Sequence, residues 1–347
     1  MGRKRTGQLL LGLGLSALFL WLAVRQLDFG QVMAALQQVR VLWLVPAIVT
    51  LALDIMVRSA RWGVLLRPVL PFAWRRLVPV MTIGYMGNVL LPARLGELLR
   101  AGVLGRHAAA GEGLPTGSGI VPAVTPQVGN ATSAALGTIA TERVFDGLTT
   151  VAILAVTSWF LPRPSWLVAG LVTVTLLFVG GLIALCLMLA FRPVFLALLE
   201  RLFGRYQWSA RPITWVGQFL AGLAVLRSPR LLVLVVGWSL LAWLLSALEY
   251  YWVMLACNVP LGLVPAFFTV AAVSLSTAIP SAPGYVGTFE FAGVAVLGAL
   301  GVPAAAAFTF TVVMHLVLTV PITFAGLVLL WREGFSSPYK AGLSEAR

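Results

Sequence analysis

Long unbroken apolar runs dominate the chain, near residues 8–24, 41–57, 141–161, 166–190, 231–254 and 304–331. Each is long enough to cross about 30 Å of hydrocarbon, which takes about 20 helical residues. Six full transmembrane helices are therefore expected. Two further apolar regions are broken by proline and glycine. The first, 78–105, runs from Val78 to Leu91, breaks at Pro92 and resumes through Gly96 as a segment bearing Arg94, Glu97 and Arg100. The second, 264–300, breaks across Pro280, Ser281, Ala282, Pro283 and Gly284 and resumes beyond Gly287 with Glu290. Both read as helical hairpins that enter and leave on one side of a membrane.

The spacing of arginines orders these elements. Segment 58–76 carries Arg58, Arg61, Arg67, Arg75 and Arg76, and segment 191–230 carries six arginines against Glu200. Read as basic cytoplasmic loops, both satisfy the positive-inside rule only if 78–105 is a hairpin dipping in from the cytoplasm. By the same count 264–300 dips in from the opposite face, and both termini are cytoplasmic. Two broken hairpins of opposite entry, one in each half, are the pattern of an inverted repeat with a site at the membrane midplane. Between the halves, 108–140 is rich in Gly, Ala, Pro, Ser and Thr and reads as a flexible loop. Segments 194–204 and 212–227 read as helices lying on the inner surface. The expected fold class is thus all-α, a polytopic bundle forming one integral membrane domain over 1–335, with a cytoplasmic tail at 336–347.

Composition supports this picture and removes others. With 60% apolar and only 10% charged residues, the 347-residue chain has to be solvated mostly by lipid. Its formal charge of +13 would suggest nucleic acid in a soluble protein, but here the basic residues flank apolar runs. Arg3, Lys4 and Arg5 before the first run, with no small-residue cleavage site after it, make 8–24 an uncleaved helix. Cys186 and Cys257 both fall within apolar runs, so no disulfide framework or thiolate metal site is expected. No Gly-x-x-x-x-Gly-Lys, His-Glu-x-x-His or Gly-x-Ser-x-Gly motif occurs, and neither an enzyme nor a cofactor is expected.

Ionisable side chains in apolar segments are costly unless paired or wet, so each is a candidate for function. Arg94, Glu97 and Arg100, three apart, share a helix face, and with the free amides after Pro92 they suit an anion such as phosphate. Glu142, Arg143 and Asp146 open a long span, with Arg143 in reach of Asp146. Glu290 is the only charged residue from Val259 to Val328, and an arginine of the first hairpin is its natural partner. Asp54 and Glu249 read as near helix ends and His315 as mid-span, all three suited to packing or water contact.

These pieces resemble the lysylphosphatidylglycerol synthase transmembrane-region family, flippase-like membrane proteins. The resemblance rests on Arg58-Ser59-Ala60-Arg61-Trp62, on residues Gly87 to Arg100, on Glu142-Arg143-Val144-Phe145-Asp146 and on Pro280 to Glu290. It implies a polytopic bundle with re-entrant elements that moves a phospholipid or lipid-linked headgroup across the cell (inner or plasma) membrane. The best-known members carry a soluble aminoacyl-transferase domain after this region; this chain ends at Arg347, so synthase activity is not carried over. The expectation is a lipid translocator whose headgroup site comprises Arg94, Glu97, Arg100, Glu142, Arg143, Asp146 and Glu290, with Arg58 and Arg61 as a cytoplasmic basic motif. The rival readings are a non-transporting partner of a separate lipid-modifying enzyme and an intramembrane transferase.

Overall fold

The computed structural model describes residues 3–25, 27–111, 127–161, 165–203, 210–277 and 281–336. All regular structure among them is helical. In order these are α1 (Arg3–Val24), α2 (Phe29–Gln37), α3 (Leu44–Leu66), α4 (Trp74–Leu90), α5 (Gly96–Ala109), α6 (Val128–Thr157), α7 (Ser165–Ala190), α8 (Arg192–Phe203), α9 (Ala210–Gly222), α10 (Pro229–Ala256), α11 (Leu263–Ser276), α12 (Thr288–Ala299) and α13 (Ala304–Ser336). Single 3-10 turns at Pro92–Arg94 and Pro283–Tyr285 join α4 to α5 and α11 to α12.

Among the described residues four helices are both long and apolar enough to cross a bilayer, covering Val41–Leu66, Val172–Ala190, Pro229–Ala256 and Ala304–Arg332. The protein is a multi-pass helical bundle. One of the six expected spans departs from that simple form: α6, at 30 residues, carries Glu142, Arg143 and Asp146.

Each hairpin break has a local cause. Proline disfavours helical geometry in the residue before it, and both Leu91 (ψ 144°) and Ala282 (ψ 160°) are extended. The 3-10 turn that follows ends in a non-glycine residue with left-handed backbone, Arg94 (φ 55°) and Tyr285 (φ 61°). Such conformations cost about 1–3 kcal/mol and persist only where surrounding structure enforces them. Gly96 supplies part of that enforcement, because α5 approaches α4 so closely that a Cβ there would collide with the Gly84 carbonyl and the Asn88 amide. Gly96→Ala would gain about 1 kcal/mol of helix propensity in isolation. It is nevertheless expected to lower the unfolding temperature in detergent, since overpacking costs about 1–3 kcal/mol; a raised unfolding temperature would mean that the two half-helices are not held at this distance.

Much of the packing pattern recurs when the two halves are exchanged. α3–α4, α4–α5 and α5–α6 contacts recur as α10–α11, α11–α12 and α12–α13, α4 packs on α13 as α11 packs on α6, and α2 packs on α13 as α9 packs on α6. α3 and α10 pair with each other across the centre. They are antiparallel: Trp43 stacks on Trp252 at 5.6 Å near one end, while Arg61 donates to Ser239 at 3.1 Å near the other. The pseudo-two-fold axis relating the halves therefore lies perpendicular to these spans, in the plane of a bilayer they cross. That is an inverted-topology repeat.

Two expectations are corrected. α3 does not stop at 57 but runs on to Leu66, so Arg58 and Arg61 are not in a cytoplasmic loop; Arg61 is fully buried. The continuation is possible because each arginine finds a carboxylate inside the bundle. The expected loop at 108–140 is helical from Val128, and α5 reaches Ala109; residues 112–126 lie outside the described residues. Its small residues serve close packing: Gly137 meets Gly222 and the Phe219 backbone of α9, and Gly105 lies against Thr132. α9, in the second segment expected on the inner surface, packs along α6, where the Ser133 hydroxyl donates to the Trp215 carbonyl at 2.5 Å. The expected tail beyond Ser336 lies outside the described residues, as does Pro280.

Candidate functional site

Asp54, Arg58 and Arg61 fall on one face of α3, spaced four and three apart. Arg58 pairs with Asp54 at 2.7 Å and donates to the Ser246 hydroxyl of α10 at 2.9 Å. Arg61 reaches α6, with Asp146 at 2.5 Å and Glu142 at 3.1 Å. The other oxygen of Glu142 takes Arg100 of α5 at 2.9 Å, and that guanidinium lies 4.4 Å from the centre of the Trp62 ring. Arg143 lies 2.9 Å from Glu97, close enough for an ion pair though off the hydrogen-bond line, with Asp146 at 3.5 Å. Four arginines thus meet four carboxylates, and the cluster is neutral. It clamps α3, α5, α6 and α10 together.

The second half holds a smaller counterpart. Glu290, in the first turn of α12, accepts from the Gly287 amide at 2.6 Å through Oε2, while Oε1 meets Nδ1 of His315 on α13. His315 Nε2 faces the Gly284 carbonyl at 2.8 Å, and its ring packs against Phe289. The expected partner of Glu290 was an arginine of the first hairpin; the structure gives it His315. The two pairs occupy equivalent places, since Glu97 also lies in the first turn of a second half-helix and also pairs with the long helix that follows, through Arg143.

Between the two breaks lies a cavity of about 270 Å³, lined by both halves. Arg94 enters it from the first break. Its guanidinium donates to the Thr277 carbonyl at 2.9 Å and hydroxyl at 2.7 Å and lies 5.8 Å from the Tyr285 ring centre. Among the described residues no carboxylate pairs with it. On the α3–α10 side, Asp54 and Glu249 line the same cavity, and Oδ1 of Asp54 and Oε1 of Glu249 are buried without hydrogen-bond partners. A buried unpartnered carboxylate oxygen costs about 1–3 kcal/mol or more, so this wall is built to receive a donor. A second cavity of about 220 Å³ adjoins the first and shares Leu51, Ile55 and Ile322 with it. It is almost wholly apolar and runs along Ile48, Val78 and Leu329.

Of the residues singled out from sequence, Arg94, Glu97, Arg143 and Arg58 line the polar cavity, together with Gly284. Arg61, Arg100, Glu142 and Asp146 form the clamp behind it, and Glu290 stands behind His315. Pro92, Gly96, Pro283, Gly284 and Gly287 sit at the breaks. Asp54, Glu249 and His315, read as packing or water contacts, line the cavity. Asp54 is mid-helix because α3 continues past it, and the signal for His315 was that it is the only basic side chain in the same uncharged stretch as Glu290.

An inverted repeat of membrane helices, with two broken hairpins facing a charged cavity beside an apolar groove, defines a polytopic helical membrane protein. The chain belongs to the family of lysylphosphatidylglycerol synthase transmembrane regions, whose model matches residues 9–326. Its role lies with membrane lipids. No curated protein matches it.

Proposed function

We propose that this protein moves a phosphate-bearing lipid between the two leaflets of its membrane without chemically altering it. The observation that carries this reading is that the polar cavity and an apolar groove lie side by side, with Leu51, Ile55 and Ile322 lining both. A lipid has the same division, and its headgroup cannot cross hydrocarbon without losing its hydration. In the cavity Arg94 offers a planar donor fork suited to phosphate, while an acyl chain stays in the groove beside α3, α4 and α13. Arg100 was also expected to hold phosphate, but its guanidinium is occupied by Glu142, and the task falls to Arg94.

The test is the purified protein in liposomes carrying fluorescent phospholipids, with protein-free liposomes beside it. Lipid is expected to reach the opposite leaflet only where protein is present. Absence of movement for phosphatidylglycerol, phosphatidylethanolamine, an aminoacylated phospholipid and a polyprenyl phosphate alike would overturn the reading in favour of a partner for a separate lipid-modifying enzyme. A new lipid species formed during the assay would favour transferase chemistry instead.

A further inference from the structure

We infer that Glu290 and His315 form a proton-binding site that couples lipid movement to a pH difference across the membrane. The site stands on its own geometry, and its coupling to lipid rests on the function proposed above. Both ring nitrogens of His315 face oxygen acceptors, Oε1 of Glu290 and the Gly284 carbonyl. The other carboxylate oxygen, Oε2, is already an acceptor, taking the Gly287 amide. Both ring contacts are satisfied together only when two protons are present, one on Nε2 and one between Nδ1 and Oε1.

Loss of one proton to cavity water breaks one of these ties. If it leaves Nδ1, two lone pairs face each other and α12 parts from α13; if it leaves Nε2, the ring no longer donates to the break at Gly284. The imidazole thus fastens α13 to the break and to the first turn of α12, and holds both only while the His315–Glu290 pair carries two protons. The break it fastens carries Tyr285, on which the guanidinium of Arg94 lies, so the proton and the headgroup cation act on the same few residues.

Other charged and titratable groups line the same cavity, Glu97 and Arg143 among them. Neither α1 nor α2 nor α11 brings a titratable side chain among its residues with described side chains. The first break brings Arg94 and the second Tyr285, α4 brings Tyr85, α3 brings Asp54 already paired with Arg58, and α10 brings Glu249 and Tyr250. His315 itself lines the cavity, giving its proton a route to water.

The equivalent pair in the other half sharpens the contrast. Arg143, beside Glu97, does not deprotonate in proteins, whereas histidine is the side chain that ordinarily changes charge near neutral pH. One hairpin is held by a fixed cation and the other by a removable proton.

Only two histidines occur, His107 and His315, so His107→Gln leaves a single reporter. In lipid, with nitrogen-15 histidine, the His315 ring signal is expected to differ between acidic and alkaline buffer, and Glu290→Gln is expected to alter that difference. A ring in one state throughout overturns the proton site. In liposomes with a gradient of one pH unit, one proton per lipid would skew the leaflet distribution by up to about tenfold. His315→Arg, which keeps a cation but releases no proton, is expected to abolish the skew. An even distribution in the wild type despite lipid movement overturns the coupling. No lipid movement even at equal pH fails the proposed function instead, and the histidine spectrum still decides the proton site.

Discussion

Glu142→Ala is expected to destabilise the protein by about 3–5 kcal/mol, because it leaves two buried guanidinium groups without their shared counter-charge. Glu142 is fully buried, and its two oxygens are divided between Arg61 of α3 and Arg100 of α5. Arg61 would retain Asp146, but Arg100 would keep only the face of Trp62 and the Met81 sulfur. Glu142→Gln keeps the shape and removes the charge, so it is expected to lose nearly as much, which separates electrostatics from cavity formation. Unfolding of the purified variants in detergent micelles measures both. A Glu142→Ala variant within about 1 kcal/mol of wild type, the range of an exposed ion pair, would show that the cluster is not what holds α3, α5 and α6 together.

The same cluster marks where sequence reading stopped. The breaks were legible because proline and glycine act locally: Pro92 and Pro283 each hold the preceding residue extended and open the 3-10 turn of the break. The inverted arrangement was legible too, since it follows from counting basic segments, and the antiparallel pairing of α3 with α10 agrees with it. What failed was the meaning of Arg58 and Arg61. An arginine in an apolar run signals a loop until its partner is known, and the partners of Arg61 lie 81 and 85 residues away on α6. The misreading of 128–140 has a similar origin. Gly, Ala, Ser and Thr mark loops in water but close helix contacts in lipid, and only the position of α9 against Gly137 distinguishes the two. Glu290 was found as a lone acid in an uncharged stretch, yet choosing His315 over Arg94 as its partner required knowing that α13 packs on α12.

Arg94→Ala is expected to slow lipid movement by about 10- to 100-fold, the loss of a charged hydrogen-bond donor worth about 1.5–3 kcal/mol, while leaving the fold in place. The fold survives because Arg94 belongs to no ion pair among the described residues and is only partly buried, and because alanine meets the same left-handed backbone that arginine does. Function suffers because, among the described residues, its guanidinium is the one arginine head lining the cavity that no carboxylate holds. In this structure it donates to the carbonyl at the end of α11 and to the Thr277 hydroxyl. An arriving phosphate would take those donors, releasing the end of α11 from the first break. Binding and the loosening of the two hairpins would then be one event, and a substitution that removes the fork removes both. Arg94→Lys keeps the charge without the planar fork and is expected to fall between wild type and alanine. Transport in liposomes, compared with unfolding temperature in the same detergent, separates the two effects. If Arg94→Ala moves lipid at the wild-type rate, the headgroup does not pass between the breaks, and the unpartnered oxygens of Asp54 and Glu249 become the place to look for its path.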